Sequence, residues 1–299
     1  MSTAPAWFDK ALATRPDAGA VTVDGCDLHT LRWGERGKPG LVLVHGGAAH
    51  ARWWSFLAPF FTPHYDVLAL DLSGHGDSGR RESYPRDVWA REVVAVAQAA
   101  GFPGPPVVVG HSMGGLVAIV AASLFGERLA GAIVVDSPVY ERPPETQAAQ
   151  QGRTFGPLKV YPDLATAVGR FRLIPDQPCD NRFILDYIAR ESVKELPPER
   201  GGGFTWKFDP RIFSVDSAGR MSDYLATVKC RVALLRGELS HVVPRETGEY
   251  MYRLLDRTSP LVEIPEAHHH LILDQPLAFV AATRALLADW DHSVPRRHA

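Results

Sequence analysis

The sequence predicts an α/β fold: a mostly parallel, twisted sheet with helices on both faces, interrupted by an inserted, mainly helical lid. Three observations predict it. Apolar runs at 41–44, 67–70, 107–109 and 132–135 alternate with stretches of helical spacing, the rhythm of a parallel sheet whose strands are buried on both faces. That rhythm breaks between 138 and 222. There Pro138, Pro143, Pro144, Pro157, Pro162, Pro175, Pro178, Pro197 and Pro198 mix with aromatics such as Tyr140, Phe155, Phe171, Trp206 and Phe213, and no clean buried strand appears. It resumes with Val232-Ala233-Leu234-Leu235, which assigns 1–137 and 223–299 to the core and 138–222 to the lid. One interrupted sheet is one catalytic unit, so the two domains that 299 residues suggest by length alone are an overcount.

Taken in order, Val21-Thr22-Val23 and Leu28 to Trp33 flank Asp24-Gly25 and read as a hairpin. Leu41-Val42-Leu43-Val44 is a buried strand, followed by a helical stretch carrying Trp53, Trp54, Phe56 and Leu57. Val67 to Leu70 is the next strand, ending at Asp71. Residues 86–100 show helical spacing through Val88, Trp89, Val93, Val94 and Val96 until Gly101 stops them. Val107-Val108-Val109 and Ala132-Ile133-Val134-Val135 are further strands, the second ending at Asp136. Inside the lid only short amphipathic pieces such as Phe183 to Ile188 stand out. After it come the strand at 232–237, a helix near 244–256, a strand at 261–264 and a final helix from Pro276 to Asp289.

Gly110-His111-Ser112-Met113-Gly114 lies between the apolar run at 107–109 and a second at 116–120, hence at an abrupt turn from strand to helix. The G-x-S-x-G pattern in that setting marks a nucleophile elbow, where a strained serine lifts its Oγ above the sheet edge. The next amide, that of Met113, points into the same space at a helix N-terminus, where partial positive charge stabilises an anion. A serine hydroxyl is a weak nucleophile and needs a neighbouring base, commonly a histidine oriented by a carboxylate. The loop after the last strand offers Ala267-His268-His269-His270. Three consecutive histidines also suggest a metal tract, but adjacent side chains on a loop rarely converge on one ion, so no metal site is assigned.

Composition narrows the function classes. A hydrophobic content of 45% with 22% charged residues is that of an ordinary globular chain. Lys+Arg 32 against Asp+Glu 34 gives a formal charge of −2, so no basic excess recruits nucleic acid or an acidic membrane. The opening residues lack the basic start and apolar core of a signal peptide. Residues 107–125 are apolar enough to suggest a span, but His111, Ser112, Gly114 and Gly115 interrupt them. Cys26, Cys179 and Cys230 are few, odd in number and far apart, which excludes a disulfide framework and points to a reducing cytoplasm.

With these residues in view the chain resembles the α/β-hydrolase superfamily across nearly its whole length. Five segments carry the resemblance in order: His45-Gly46-Gly47; Asp71-Leu72-Ser73-Gly74-His75-Gly76-Asp77-Ser78; Gly110 to Gly115; Gly237; and Ala267 to Pro276. The superfamily's closing motif sets its histidine five residues before an acidic-Gln-Pro triplet, here Asp274-Gln275-Pro276. The resemblance therefore implies His269 as base, with His268 standing where glycine is usual and His270 as a packing neighbour. It also implies Gly47 and Met113 as the two amides of an oxyanion hole.

The acid departs from the commonest pattern. That pattern puts an aspartate three residues after the glycine of the strand following the lid, and this chain has Ser240 there. Asp136, one helix and one strand beyond Ser112, is the expected acid, as in superfamily members whose acid has moved to that strand. Glu238 is the alternative, and capping of the lid entry is the bland reading of Asp136.

The implied chemistry is two-step acyl transfer on a carboxylic ester or lactone. The lid aromatics and the scarcity of basic clusters point to a small-to-medium, largely apolar molecule, with His111 and Trp206 assigned to substrate contact. No cofactor is called for. The expected partner is a small-molecule substrate, with no nucleic acid and no membrane, and a homodimer is left open. Three other readings use the same scaffold: a carbon–carbon bond hydrolase of β-diketone-like compounds, a cofactor-free oxygenase, and a non-catalytic ligand receptor.

Overall fold

The alternating apolar runs pair into one eight-stranded sheet in the computed structural model, which describes residues 4–141, 157–214 and 219–293. Its strands are β1 (Asp17–Val23), β2 (Cys26–Trp33), β3 (Gly40–Val44), β4 (Asp66–Leu70), β5 (Val107–His111), β6 (Gly131–Val135), β9 (Arg231–Gly237) and β10 (Leu261–Ile264), in the order β1-β2-β4-β3-β5-β6-β9-β10. All neighbours from β4 to β10 run parallel, while β2 pairs antiparallel with both β1 and β4. The helices are α1 (Ala6–Ala13), α2 (Arg86–Ala99), α3 (Met113–Phe125), α4 (Leu164–Gly169), α5 (Arg182–Glu191), α6 (Met221–Ala226), α7 (Arg245–Leu254), α8 (Leu271–Asp274) and α9 (Pro276–His292).

Two-residue alternation explains why both sheet faces are dry. Leu41 and Leu43 turn one way, into a cluster with Trp54, Phe56, Leu57, Val109, Ile133 and Phe279. Val42 and Val44 turn the other way, onto Trp89 and Val93 of α2 and Ile119 of α3. Each such side chain contributes about 1.5–3 kcal/mol through the apolar area it removes from water. The central strands therefore hold their ends fixed, and the site is built on those ends.

Four features depart from the sequence reading. The helix expected around Trp53 and Leu57 is two 3₁₀ turns, Ala51–Trp54 and Ala58–Phe60. Pro59 explains the break, since it has no N–H to donate to an α-helical ladder. β1 starts at Asp17, ahead of the expected hairpin arm, because its first four residues are an exposed edge without an apolar pattern. The region from 138 to 222 also holds a two-stranded ribbon, β7 (Val193–Glu195) with β8 (Phe204–Trp206), too short to betray a period. Finally, α6 straddles the boundary drawn between 222 and 223 and packs on α3.

Pro143, Pro144 and Phe155 lie outside the described residues, as do Met1 to Thr3. Among the described residues no helix is long and apolar enough to cross a membrane.

Candidate active site

Ser112 stands between β5 and α3 with φ 55° and ψ −119°, a backbone conformation that costs a non-glycine residue about 1–3 kcal/mol. Its surroundings hold it there. The Ser112 amide donates to Val135 O at 2.8 Å, and Ser112 O accepts from Gly115 N at 3.0 Å. Any Cβ on Gly114 would run into the carbonyls of Val44 and His45, and one on Gly110 into the Gly114 backbone. Only glycines on either side let β5, α3 and the end of β3 come this close.

His269 reaches Ser112 from the loop after β10, its Nε2 lying 2.9 Å from Oγ. Its Nδ1 lies 2.7 Å from Asp136 Oδ2. A carboxylate accepts only, so Nδ1 carries the proton and Nε2 presents a lone pair to the hydroxyl. Asp136 is fully buried just beyond β6, itself at φ 46°. Its amide donates to Leu235 O at 2.8 Å, and its Oδ1 accepts from Gly237 N at 2.8 Å.

The acid's remaining partner was not foreseen. Ser240, which occupies the position where the resemblance leads one to look for an aspartate, donates from Oγ to Asp136 Oδ2 at 2.6 Å. Its Oγ in turn accepts from Val242 N and Val243 N at 3.2 and 3.1 Å, which leaves its single proton for the carboxylate. Glu238 is turned away from this group. It is exposed and accepts from Glu266 N at 2.8 Å.

Gly47 and Met113 lie side by side, a Cβ on the glycine coming 3.8 Å from Met113 Sδ. Neither amide has a hydrogen-bond partner among the described residues. The loop carrying Gly47 is braced from below by His45, whose Nε2 accepts from Leu72 N at 3.0 Å and whose Nδ1 therefore donates to Gly46 O at 2.7 Å.

His45 belongs to a buried polar layer between this loop and the lid. Burial disfavours the charge on Asp71, but bonds from His29 Nδ1 (2.9 Å) and Ala51 N (2.6 Å) and the nearby imidazoles outweigh it and hold the carboxyl well below its usual range. His50 Nε2 lies 2.9 Å from Ser192 Oγ, whose own proton goes to Ile188 O, so His50 is the donor. Burial lowers His50 to about 3 and His75 well below the ordinary histidine value.

That layer makes the fold acid-sensitive. Below about pH 6.5 the unfolded chain takes up protons that these two rings refuse in the native state, so stability is full above that pH and falls as pH drops toward 3. From pH 7 to 5.5 His50 alone costs about 1 kcal/mol, and His75 adds to it in the same direction. We expect the urea midpoint to fall accordingly, with an unchanged m-value. A midpoint constant over this range would contradict neutral burial.

His111, expected among the substrate contacts, is 1% exposed and packs behind the base, its ring 5.0 Å from that of His269. A side chain so buried presents no surface for direct substrate contact. The other expected contact, Trp206, lines a cavity of about 410 Å³ beside Ala48, together with Tyr161, Phe171, Ile174 and Phe208. The same wall carries Lys159, Arg170 and Arg172, all exposed and none in an ion pair among the described residues. These cations are scattered in sequence, which is why reading along the chain found no basic cluster. Gln177 was also not foreseen: it accepts from His270 N at 2.8 Å and donates to Asp274 Oδ2 at 2.9 Å, tying the insert to the histidine loop.

Comparison with known proteins agrees with this architecture. Over 286 residues the chain is 27% identical to the esterase Rv0045c of Mycobacterium tuberculosis, covering 91% of this chain and 88% of the esterase. It is 37% identical over 225 residues to a pimeloyl-[acyl-carrier protein] methyl ester esterase of Methylococcus capsulatus, covering 72% of this chain and 82% of that protein. The crystal structure of E-2-(acetamidomethylene)succinate hydrolase superposes with a TM-score of 0.78 at 19% identity, over 91% of this chain and 99% of that one. A family model described as the alpha/beta hydrolase family matches residues 41–283. With the elbow, the sheet order and that match in agreement, the chain belongs to the alpha/beta hydrolase family.

Proposed function

We propose that this protein hydrolyses carboxylic esters or lactones through an acyl-enzyme on Ser112. The observation that carries the reading is the Ser112–His269–Asp136 chain, with contacts of 2.9 and 2.7 Å and a strained φ at the serine. In this mechanism Oγ attacks the substrate carbonyl carbon while its proton passes to His269 Nε2. Asp136 steadies the imidazolium through Nδ1. The Gly47 and Met113 amides donate to the oxyanion of the tetrahedral intermediate. Collapse expels the alcohol, which takes the proton from Nε2. A water, deprotonated by the same nitrogen, then releases the acid and restores the hydroxyl.

The cavity wall refines the substrate class. Aromatic rings suit an apolar acyl or alcohol part, while three cations without an ion pair among the described residues favour an ester that also carries a negative charge. The earlier expectation of a largely apolar molecule is thus narrowed to an apolar body with an anionic end.

A fluorophosphonate probe tests the nucleophile, and we expect labelling at Ser112 alone. Paired p-nitrophenyl esters, with and without a terminal carboxylate, test the class. We expect the carboxylate ester to be favoured about five- to tenfold in kcat/KM at low salt, the preference shrinking as ionic strength rises. Equal turnover of both at all salt concentrations would remove the anionic part of the proposal. Absence of labelling would remove the serine mechanism.

A further inference from the structure

We propose that His111, His269 and His270 form a binding site for one borderline divalent transition-metal ion, Zn²⁺ or Cu²⁺, and that its occupancy shuts the hydrolase off. The three rings come from two places, the end of β5 and the loop after β10, and their ligand nitrogens all lie within 4.8 Å of one another. They are 1%, 3% and 4% exposed.

Hydrogen bonding fixes which lone pairs are free. His111 Nε2 faces the carbonyl of His269 at 2.9 Å, which can only accept, so Nε2 carries the proton and Nδ1 bears a lone pair. That Nδ1 is buried without any hydrogen-bond partner among the described residues. His269 offers its Nε2 lone pair, and the buried His270 ring, with an N–H directed at the Ile174 and Pro175 carbonyls, keeps a lone pair on its other nitrogen. A buried, unpartnered acceptor is costly and rare, and the interior here supplies no donor to relieve it. A metal ion would.

The donor set selects the ion. Three neutral imidazoles suit zinc, copper, iron or nickel and leave calcium and magnesium unsatisfied. Zn–N bonds of about 2.0–2.1 Å place tetrahedral ligands roughly 3.3 Å apart, so nitrogens now within 4.8 Å of one another need to close by up to about 1.5 Å. Ser112 beside His269 is only partly buried, and its hydroxyl or a water takes the fourth position. Because the ion occupies the Nε2 lone pair, His269 can no longer take the serine proton. The binding half of this inference is independent of the proposed activity; only the inhibitory half rests on it.

The test uses chelator-treated full-length protein. Calorimetric titration with ZnCl₂ should give one tight equivalent, retained in Ser112→Ala, whose hydrolysis is abolished. In His111→Phe and His270→Phe the affinity should fall at least tenfold. The Cu²⁺ electron paramagnetic resonance spectrum of the unmodified protein should show three nitrogen donors, a readout that stands even where a variant fails to fold. Zn²⁺ should inhibit ester turnover and a chelator should restore it. The site is overturned by absence of tight binding, by an affinity that both variants leave unchanged, or by a copper spectrum with fewer than three nitrogen donors. Binding as expected in a protein without esterase activity would leave the site standing and overturn the proposed function instead.

Discussion

Replacing Ser112 by alanine is expected to lower kcat/KM for a p-nitrophenyl ester by about 10⁵–10⁶-fold. The size follows from what the variant loses. Without Oγ no acyl-enzyme forms, and His269 is left with only water to activate. The Gly47 and Met113 amides and the cavity survive, so a residual acceleration of about 10³–10⁴ over water remains. Alanine adopts φ 55° at the same cost as serine, and the substitution removes one hydrogen bond, so the protein should fold and unfold as before. Denaturation curves alongside the kinetics separate lost chemistry from lost structure. A Ser112→Ala protein with a tenth of the original activity would defeat the mechanism.

Asp136→Asn is expected to cost about 10⁴-fold in kcat. The amide oxygen, in the Oδ1 position, still accepts from Gly237 N, while the amide nitrogen replaces the oxygen that met both Ser240 Oγ and His269 Nδ1. The amide nitrogen, however, donates where the carboxylate accepted, which turns His269 to its other tautomer and puts a proton on Nε2. The base is then spent before the serine meets it. Glu238→Gln, by contrast, should leave kcat within about twofold, since Glu238 bonds the Glu266 amide and not the imidazole. Ser240 offers a second check: its Oγ lies 2.6 Å from the very carboxylate oxygen that touches His269. Exchanging the pair, Asp136→Ser with Ser240→Asp, should recover at least tenfold over Asp136→Asn, because a carboxylate at 240 reaches the same imidazole nitrogen. Full activity in Asp136→Asn would show that His269 is oriented by something else.

Much of this was legible along the chain, for definite physical reasons. Strands buried on both faces must be uniformly apolar, so β3, β4, β5, β6 and β9 announce themselves; the Gly-x-Ser-x-Gly turn does so because only glycine fits beside Val44 and His45. What stayed hidden depends on three-dimensional convergence. Ser240 showed only as a missing acid, since nothing in its sequence neighbourhood says that its hydroxyl serves a carboxylate 104 positions away. Lys159, Arg170 and Arg172 meet only because the irregular insert brings them to one wall. His111 looked like a ligand contact because it adjoins Ser112, yet strand alternation sends successive side chains to opposite faces. The three-histidine cluster was invisible because its third member comes from a different strand.

The serine, its carboxylate and the helix between them occupy one unbroken β5–α3–β6 passage. A chain built this way inherits most of its reactive apparatus as a single block. The turn that follows β9 then has a supporting task only, steadying the acid through Gly237 N and Ser240 Oγ.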